Sequence, residues 1–295
     1  MNRTLWIASG SIVAGVVVLA LKTLAWWMTG SVALLSDALE STVNVVTALA
    51  ALVAIRIAQR PADATHPYGH HKAEFISAVL EGVMIILAAL LILQEAWHGI
   101  RNPRPLDAPW DGLMVNALAG MLNAAWCAVL LREGRRLQSP ALVADGRHLL
   151  SDVVTSAGVL VGISLAVATG HAILDPILAA VVAVNILWSG WTVMSASLGG
   201  LMDRAVPEDL LRAIHEAISS NAGGAIQAHD LRTRSAGAVT FVDFHLVMDG
   251  GTSVDQAHAV CDRIEAALRG LLDNAQITIH VEPEHKAKRS GVLVL

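Results

Sequence analysis

Residues 5–28 read LWIASGSIVAGVVVLALKTLAWWM, a run of 24 residues in which Lys22 is the only ionisable side chain. A helix needs about 20 mainly apolar residues to cross the hydrocarbon core of a bilayer. The run is too long for the apolar part of a signal peptide, and no A-x-A cleavage pattern precedes its polar break. We therefore interpret it as a retained first membrane span.

The same pattern recurs along the first two thirds of the chain. The whole sequence of 295 residues is 55% hydrophobic and 15% charged, whereas soluble proteins carry roughly 25% charged residues. We predict six membrane spans, at about residues 5–28, 32–57, 74–98, 111–131, 141–169 and 173–198. The second and fifth spans contain ionisable side chains, which in a lipid bilayer indicates function rather than a failed span.

Basic residues predict how these spans are oriented. They concentrate around the loop between spans two and three and the loop between spans four and five: Arg56, Arg60, Lys72, Arg132, Arg135, Arg136 and Arg147. Because loops rich in Lys and Arg stay in the cytoplasm, both termini are predicted to be cytoplasmic. The compact six-span layout favours a bacterial inner (plasma) membrane.

From residue 203 onward the sequence has the composition of a soluble domain. We predict a helix at 207–219, strands at 226–235 and 239–248, a helix at 253–270 and a strand at 275–282. This αββαβ order predicts a small, ferredoxin-like α+β domain in the cytoplasm, so the domains are residues 1–202 and 203–295. Ser253 and Gln256 match a capping box at the start of the second helix.

Charge and cysteine content exclude two classes of function. The part from residue 203 has 9 Lys and Arg against 13 Asp and Glu, which argues against a nucleic-acid partner. The two cysteines, Cys127 and Cys261, form no CxxC motif, so neither a disulfide framework nor a thiolate zinc site is predicted.

Spans two and five share one spacing of polar side chains. Glu40 and Asn44 are four residues apart in span two, and His148 and Asp152 are four apart in span five. Residues at i and i+4 lie on one face of a helix. An isolated charge at the membrane centre costs roughly 2.5–3.5 kcal/mol on insertion scales, so these groups need a partner. Facing each other, they predict one near-tetrahedral cation site; the alternative is a polar network without metal.

Two further groups of residues have plausible metal spacing. In the loop after span two, Asp63, His66 and His70 follow an acid-x2-His-x3-His pattern, although loop histidines are often only solvated. In the soluble domain the candidates are His229, His245, His258, His280 and Glu282. His280 and Glu282, two apart on a strand, point to one face of the sheet. The alternative is a set of separate, hydrogen-bonded histidines.

Three stretches resemble the cation diffusion facilitator family, six-span metal exporters with a cytoplasmic metal-binding domain. Residues 30–44, GSVALLSDALESTVN, are similar to the second span of that family, and residues 145–152, DGRHLLSD, to its fifth. Residues 61–70, PADATHPYGH, are similar to its intracellular loop. The resemblance covers essentially the whole chain.

The resemblance implies a homodimer that exports a divalent metal, commonly in exchange for protons, by alternating access. It also implies a loop site at Asp63, His66 and His70 and a two-metal cluster in the soluble domain. Family members usually have Asp or His and then Asp where this chain has Glu40 and Asn44. Zinc is the expected cargo, with Cd²⁺ or Fe²⁺ as further substrates, and no cofactor besides bound metal is expected.

The sequence is also compatible with three other functions. An oxygen-rich site also suits manganese, so a manganese-preferring exporter is one alternative. A membrane-anchored metal sensor or scaffold is a second. An intramembrane metallohydrolase is the third, but the chain has no H-E-x-x-H helix, so no enzymatic activity is predicted.

Overall fold

The computed structural model describes residues 3–29, 32–102, 110–169, 173–288 and 292–293. The chain divides into two compact units, Met1–Leu198 and Gly199–Leu295. The first is all-helical and the second combines helices with a sheet.

The six predicted spans are six long helices. Their bounds are α1 Arg3–Thr29, α2 Val32–Ala58, α3 Ala73–Arg101, α4 Trp110–Arg136, α5 Pro140–Thr169 and α6 Leu174–Leu201. An apolar chain in lipid has to bond every backbone N–H and C=O internally, and a helix does so within one segment. The predicted class, a transmembrane helical bundle followed by a small α+β domain, is confirmed.

Among the residues that the structure describes, four stretches are long and apolar enough to cross a membrane: Arg3–Trp27, Ala73–Arg101, Met114–Arg136 and Ala179–Leu201. On α2 and α5, the polar side chains of Asn44, His148 and Asp152 are buried inside the unit. On α2, Asn44 is buried while Val46, Leu49 and Val53 are exposed. This arrangement is the reverse of a soluble helix and is the one that lipid favours.

Clusters of buried apolar side chains hold the helices of the first unit together. Ile55, Leu130 and Leu142 belong to a core shared by α1, α2, α4 and α5. A second core, built on Ile85, Ala89 and Ile186, joins α3 to α6. There the helices approach closely, since a Cβ on Gly82 would lie 2.9 Å from the backbone nitrogen of Met194.

The second unit has the predicted αββαβ order. Its elements are α7 Glu208–Asn221, β1 Gln227–Ala236, β2 Val239–Met248, α8 Val254–Leu271 and β3 Ala275–Pro283, followed by a two-residue strand, β4 Val292–Leu293, that was not predicted. The sheet order is β3-β2-β1-β4. β2 runs antiparallel to β1 and parallel to β3, and β4 runs antiparallel to β1.

One face of this sheet forms the core. Phe244, Leu246 and Val242 alternate along β2 and pack with Ile264 of α8, all of them buried. The predicted capping box of α8 is confirmed, because the Ser253 side chain accepts from the backbone of Gln256 and the reciprocal bond is also present. The opposite face of the sheet carries the histidines.

A β-bulge interrupts β1 between His229 and Arg232. Asp230 lies in this bulge with a φ of +52°, in the left-handed region that Asn and Asp tolerate better than most residues. The bulge turns the side chain of Asp230 out of the regular alternation of the strand.

Candidate metal centres

The structure brings α2 and α5 together at three of the four predicted intramembrane residues. The Nδ2 group of Asn44 donates a hydrogen bond to Oδ2 of Asp152, and His148 lies one turn earlier on α5. The side chains of Asn44, His148 and Asp152 are all buried. Oδ1 of Asn44 has no hydrogen-bond partner within the described residues. Glu40 is on α2, and its side chain lies outside the part of the chain that the structure describes.

In the loop after α2, Asp63 organises a tight turn. Its Oδ1 accepts hydrogen bonds from the backbone N–H of Thr65 at 2.8 Å, the hydroxyl of Thr65 at 2.7 Å and the backbone N–H of His66 at 2.8 Å. These bonds, the one from the Thr65 hydroxyl first, lower the pKa of Asp63 from 3.8 to about 2. The carboxylate is therefore ionised and fixed in position at neutral pH.

The two loop histidines converge on this carboxylate. Nε2 of His70 lies 3.4 Å from Oδ2 of Asp63, and Nδ1 of His66 lies 3.6 Å from Oδ1. With Zn–N and Zn–O bonds of about 2.0–2.1 Å, two ligands of one tetrahedral zinc ion lie about 3.3 Å apart. The spacing of the three side chains therefore suits one such ion.

In the second unit, three histidines lie side by side across the sheet. His229 on β1 pairs in register with His245 on β2, and His245 with His280 on β3. Their rings contact in sequence, with centroids 5.2 Å and 4.9 Å apart. Glu282, two residues after His280, shares this face as predicted.

The carboxylate of Glu282 lies among these rings. Its Oε2 is 3.3 Å from Nε2 of His229, while Oε1 is 3.3 Å from Nδ1 of His245 and 3.7 Å from Nε2 of His280. Both ring nitrogens of His229 and Nδ1 of His245 are buried without a hydrogen bond in the described part of the chain. Buried imidazoles that lack hydrogen bonds, at spacings of about 3.3 Å, are suited to metal ligation. Because Oε2 of Glu282 faces His229 while Oε1 faces His245 and His280, the carboxylate can bridge two ions.

His258 is not part of this arrangement. It is exposed on α8, and its Nε2 lies 3.7 Å from Oδ1 of Asp262, one turn further along the same helix. The remaining four predicted residues of the second unit, His229, His245, His280 and Glu282, are the ones that the fold assembles.

Sequence reasoning missed Asp230. Ligand atoms of His229, Asp230 and His245 lie within 4.8 Å of one another, a grouping able to hold a metal ion. Strict alternation puts neighbouring residues on opposite faces of a strand, so only the bulge explains this position. The Lys288 ammonium, 2.5 Å from Oδ2, lowers the pKa of Asp230. The signal in the sequence was only the acidic neighbour of a candidate histidine.

A bundle of long apolar helices with buried imidazole, amide and carboxylate groups, together with an α+β unit that carries a histidine–carboxylate cluster, defines a membrane transporter of metal cations. Known proteins agree with this class. Residues 10–202 match the cation efflux transmembrane domain, and residues 206–284 match the cytoplasmic domain of cation efflux proteins.

Several relatives are similar over nearly their full length. An uncharacterized transporter of Synechocystis sp. is 41% identical over 92% of this chain and 88% of its own. The cation-efflux pump FieF of Pectobacterium atrosepticum is 34% identical, covering 95% of this chain and 92% of the pump. A solved chain of CzrB, described as a putative zinc transporter in its zinc form, is 43% identical over 30% of this chain and 99% of its own, with a TM-score of 0.27. The chain belongs to the cation diffusion facilitator family of cation-efflux transporters.

Proposed function

We propose that this protein exports Zn²⁺ from the cytoplasm across the bacterial inner membrane in exchange for protons. The observation that carries the proposal is the contact between Asn44 of α2 and Asp152 of α5, with His148 buried beside it. Two helices that would otherwise present polar groups to lipid instead present them to each other. An imidazole, a carboxylate and an amide oxygen form a mixed nitrogen and oxygen ligand set that suits zinc.

Proton exchange follows from the chemistry of His148. An imidazole binds metal only in its neutral form, so metal binding and protonation of the same ring exclude each other. Protonation on the outward side promotes release of the metal, and the proton is carried inward when the helices return by alternating access. The metal ion leaves the site when a proton binds the imidazole of His148 in its place.

The second unit and the loop site regulate this cycle in our proposal. The three histidines with Glu282, and Asp63 with His66 and His70, bind cytoplasmic Zn²⁺. Metal that binds only the assembled form stabilises that form by mass action, so metal binding favours the homodimer. With both termini in the cytoplasm, the second unit samples metal on the side from which it is exported.

Transport in reconstituted vesicles tests the proposal. We expect wild-type protein to move Zn²⁺ and protons in opposite directions, and His148→Ala and Asp152→Ala to abolish both fluxes while remaining folded. The matched control is His98→Ala, because His98 is exposed at the end of α3 and belongs to none of the three sites. Normal flux through either site variant would rule out this assignment.

Selectivity distinguishes zinc from manganese. Competition among Zn²⁺, Cd²⁺, Fe²⁺ and Mn²⁺ in the same vesicles should rank Zn²⁺ first, since an imidazole ligand favours zinc over harder cations. Preference for Mn²⁺ would identify the manganese exporter instead. Absence of flux for every metal, with Zn²⁺ still bound, would identify a membrane-anchored sensor or scaffold.

A further inference from the structure

A small cavity lies inside the first unit, next to the proposed transport site. It opens between α1, α2, α4 and α5, and its polar lining consists of Ser11, Ser41, Asn44, Asn123 and Asp145. Its space is on the order of one water molecule, which is also enough for one cation. Asn44 belongs both to this lining and to the pair with Asp152, so the cavity adjoins the transport site.

Asp145 is the charged member of the lining, and only one of its two oxygens has a hydrogen bond. The Ser11 hydroxyl donates to Oδ2 at 2.5 Å, and the Trp126 indole in turn donates to the Ser11 oxygen at 3.0 Å. Oδ1 is buried and has no hydrogen-bond partner within the described residues. The side chain is 1% exposed. A buried carboxylate oxygen left without a donor is costly, which indicates a ligand.

Asp145 also has a defined relation to the transport site along α5. Asp145, His148 and Asp152 follow the spacing i, i+3 and i+7, which puts them on one helix face. With a rise of about 1.5 Å per residue, Asp145 lies about 10 Å from Asp152 along the helix axis. It is nearer to Pro140, where α5 begins, and the predicted orientation puts that end towards the cytoplasm.

We propose that this cavity is a second cation site, at which Asp145 binds a divalent metal ion before the ion enters the transport site. The proposal rests on the proposed function, because it adds a step to the same path. The lining supplies only carboxylate, hydroxyl and amide groups, a donor set that binds divalent cations less tightly than one with imidazole. Weak binding is what a step on a conduction path requires, since the ion has to leave again.

Transport kinetics with Zn²⁺ test this site. We expect Asp145→Asn to raise KM about tenfold, the effect of losing about 1.4 kcal/mol of binding, while kcat stays within about twofold. Ser11→Ala, which keeps the carboxylate but frees Oδ2, should raise KM by a smaller factor. Glu74→Gln is the matched control, because Glu74 is a buried carboxylate of the same unit outside the cavity lining. It should leave KM unchanged.

Zn²⁺ binding in detergent separates this proposal from the proposed function. Asp152→Ala should bind one Zn²⁺ more per chain than the double variant Asp145→Asn with Asp152→Ala, although neither transports. The site would be ruled out if Asp145→Asn left KM unchanged. It would also be ruled out if this variant lowered kcat and kcat/KM equally without changing the amount of bound Zn²⁺. If wild-type protein transports no metal but the difference of one Zn²⁺ persists, the cavity site stands and the proposed function fails.

Discussion

The amide of Asn44 gives the transmembrane site a property that a carboxylate lacks. Its Nδ2 group donates to Asp152 while its Oδ1 remains available as a ligand. A carboxylate at position 44 is an acceptor only, so it would repel Asp152 until a cation arrived. The asparagine therefore holds α2 and α5 together without metal and lowers the negative charge of the site.

The variant Asn44→Asp tests this role of the amide. Loss of the hydrogen bond and the new repulsion should destabilise the metal-free protein by about 1–3 kcal/mol, and Zn²⁺ should restore more stability than it adds to wild type. Thermal unfolding with and without Zn²⁺ measures both effects. Asn116→Asp, which also puts a carboxylate at a buried amide position, is the control that Zn²⁺ should not rescue. An unchanged melting temperature for metal-free Asn44→Asp would contradict the argument.

Asp63 combines two roles that substitutions can separate. Its Oδ1 accepts three hydrogen bonds within the turn, whereas Oδ2 faces His70. Asparagine can keep the acceptor but loses the charge, and alanine loses both. We expect Asp63→Asn to keep the slow hydrogen exchange of the Thr65 and His66 amides while Zn²⁺ binding in the loop falls. Asp63→Ala should lose both, and fast exchange in Asp63→Asn would show that the charge itself holds the turn.

The pKa of Asp63 gives the sign of the pH dependence. A carboxyl group whose pKa is lower in the folded state stabilises the fold at pH values above its unfolded pKa of 3.8, and this contribution is lost as the pH falls towards about 2. Asp63 therefore stays ionised throughout the neutral and mildly acidic range. The contribution of Asp63 to Zn²⁺ binding in the loop should therefore be the same at pH 7 and pH 5, and Zn²⁺ titrations of wild type and of Asp63→Asn at the two pH values measure it.

The sequence pattern does not predict the positions of two residues, Asp230 and Asp145. Asp230 reaches the histidine cluster only because β1 has a bulge with a positive φ, a backbone feature that alternation does not encode. In the sequence Asp145 stands only within a family motif, because the cavity that it lines is formed by four helices. The shared face of His280 and Glu282 and the shared helix face of His148 and Asp152 are predictable, because each depends only on the geometry of a single strand or helix.

At the scale of the helix, the close contact between α3 and α6 depends on glycine. A Cβ at position 82 would lie 2.9 Å from the Met194 backbone nitrogen, whereas a Cβ at Gly120 of α4 would meet nothing within 4 Å among the described residues. A backbone atom cannot move aside as a flexible side chain can. The two glycines therefore form a matched pair for testing helix packing.

We expect Gly82→Ala to destabilise the protein by about 1–3 kcal/mol, the usual cost of overpacking a core. Gly120→Ala should be neutral or stabilise by up to about 1 kcal/mol, because alanine is a better helix former. Thermal unfolding in detergent compares the two variants. Equal melting temperatures would mean that α3 and α6 separate at little cost and that Gly82 does not set their distance.

The elements themselves differ in how far the sequence predicts them. Six long apolar runs, and an alternating β2 with a capping box before α8, are local signals, and all of them appear in the structure. β4 is two residues long and pairs only with Gln227 and Ala228, so it has no periodicity to detect. Its position also depends on Gln227, whose side chain exchanges hydrogen bonds of 2.6 Å and 2.8 Å with the backbone of Lys288.

For the whole molecule, candidate metal ligands occur in both units, which allows transport and sensing to be tested separately. The residues of α2 and α5 lie in Met1–Leu198, and the histidine–carboxylate cluster lies in Gly199–Leu295. If the first site carries the cargo and the second regulates, damage to each should affect a different measurement. A sensor with a passive membrane anchor has no flux to lose.

Glu282→Gln is the sharpest test of this division, because Glu282 contacts all three histidines through its two oxygens. Glutamine has nearly the same shape but no charge, and its NH₂ group cannot bind metal. Saturation at 100 times Kd stabilises a folded unit by about 2.7 kcal/mol, so the variant should lose a Zn²⁺-induced shift of that order in the unfolding of the second unit. Because the proposed ligands in α2 and α5 are intact, saturated Zn²⁺ flux should persist.

Asp152→Ala should show the opposite pattern, with the Zn²⁺-induced shift in unfolding retained and the Zn²⁺ flux lost. The control Glu216→Gln, at an exposed position of α7, should change neither property. Loss of both properties in both variants would mean that metal in the second unit is required for transport itself rather than for its regulation.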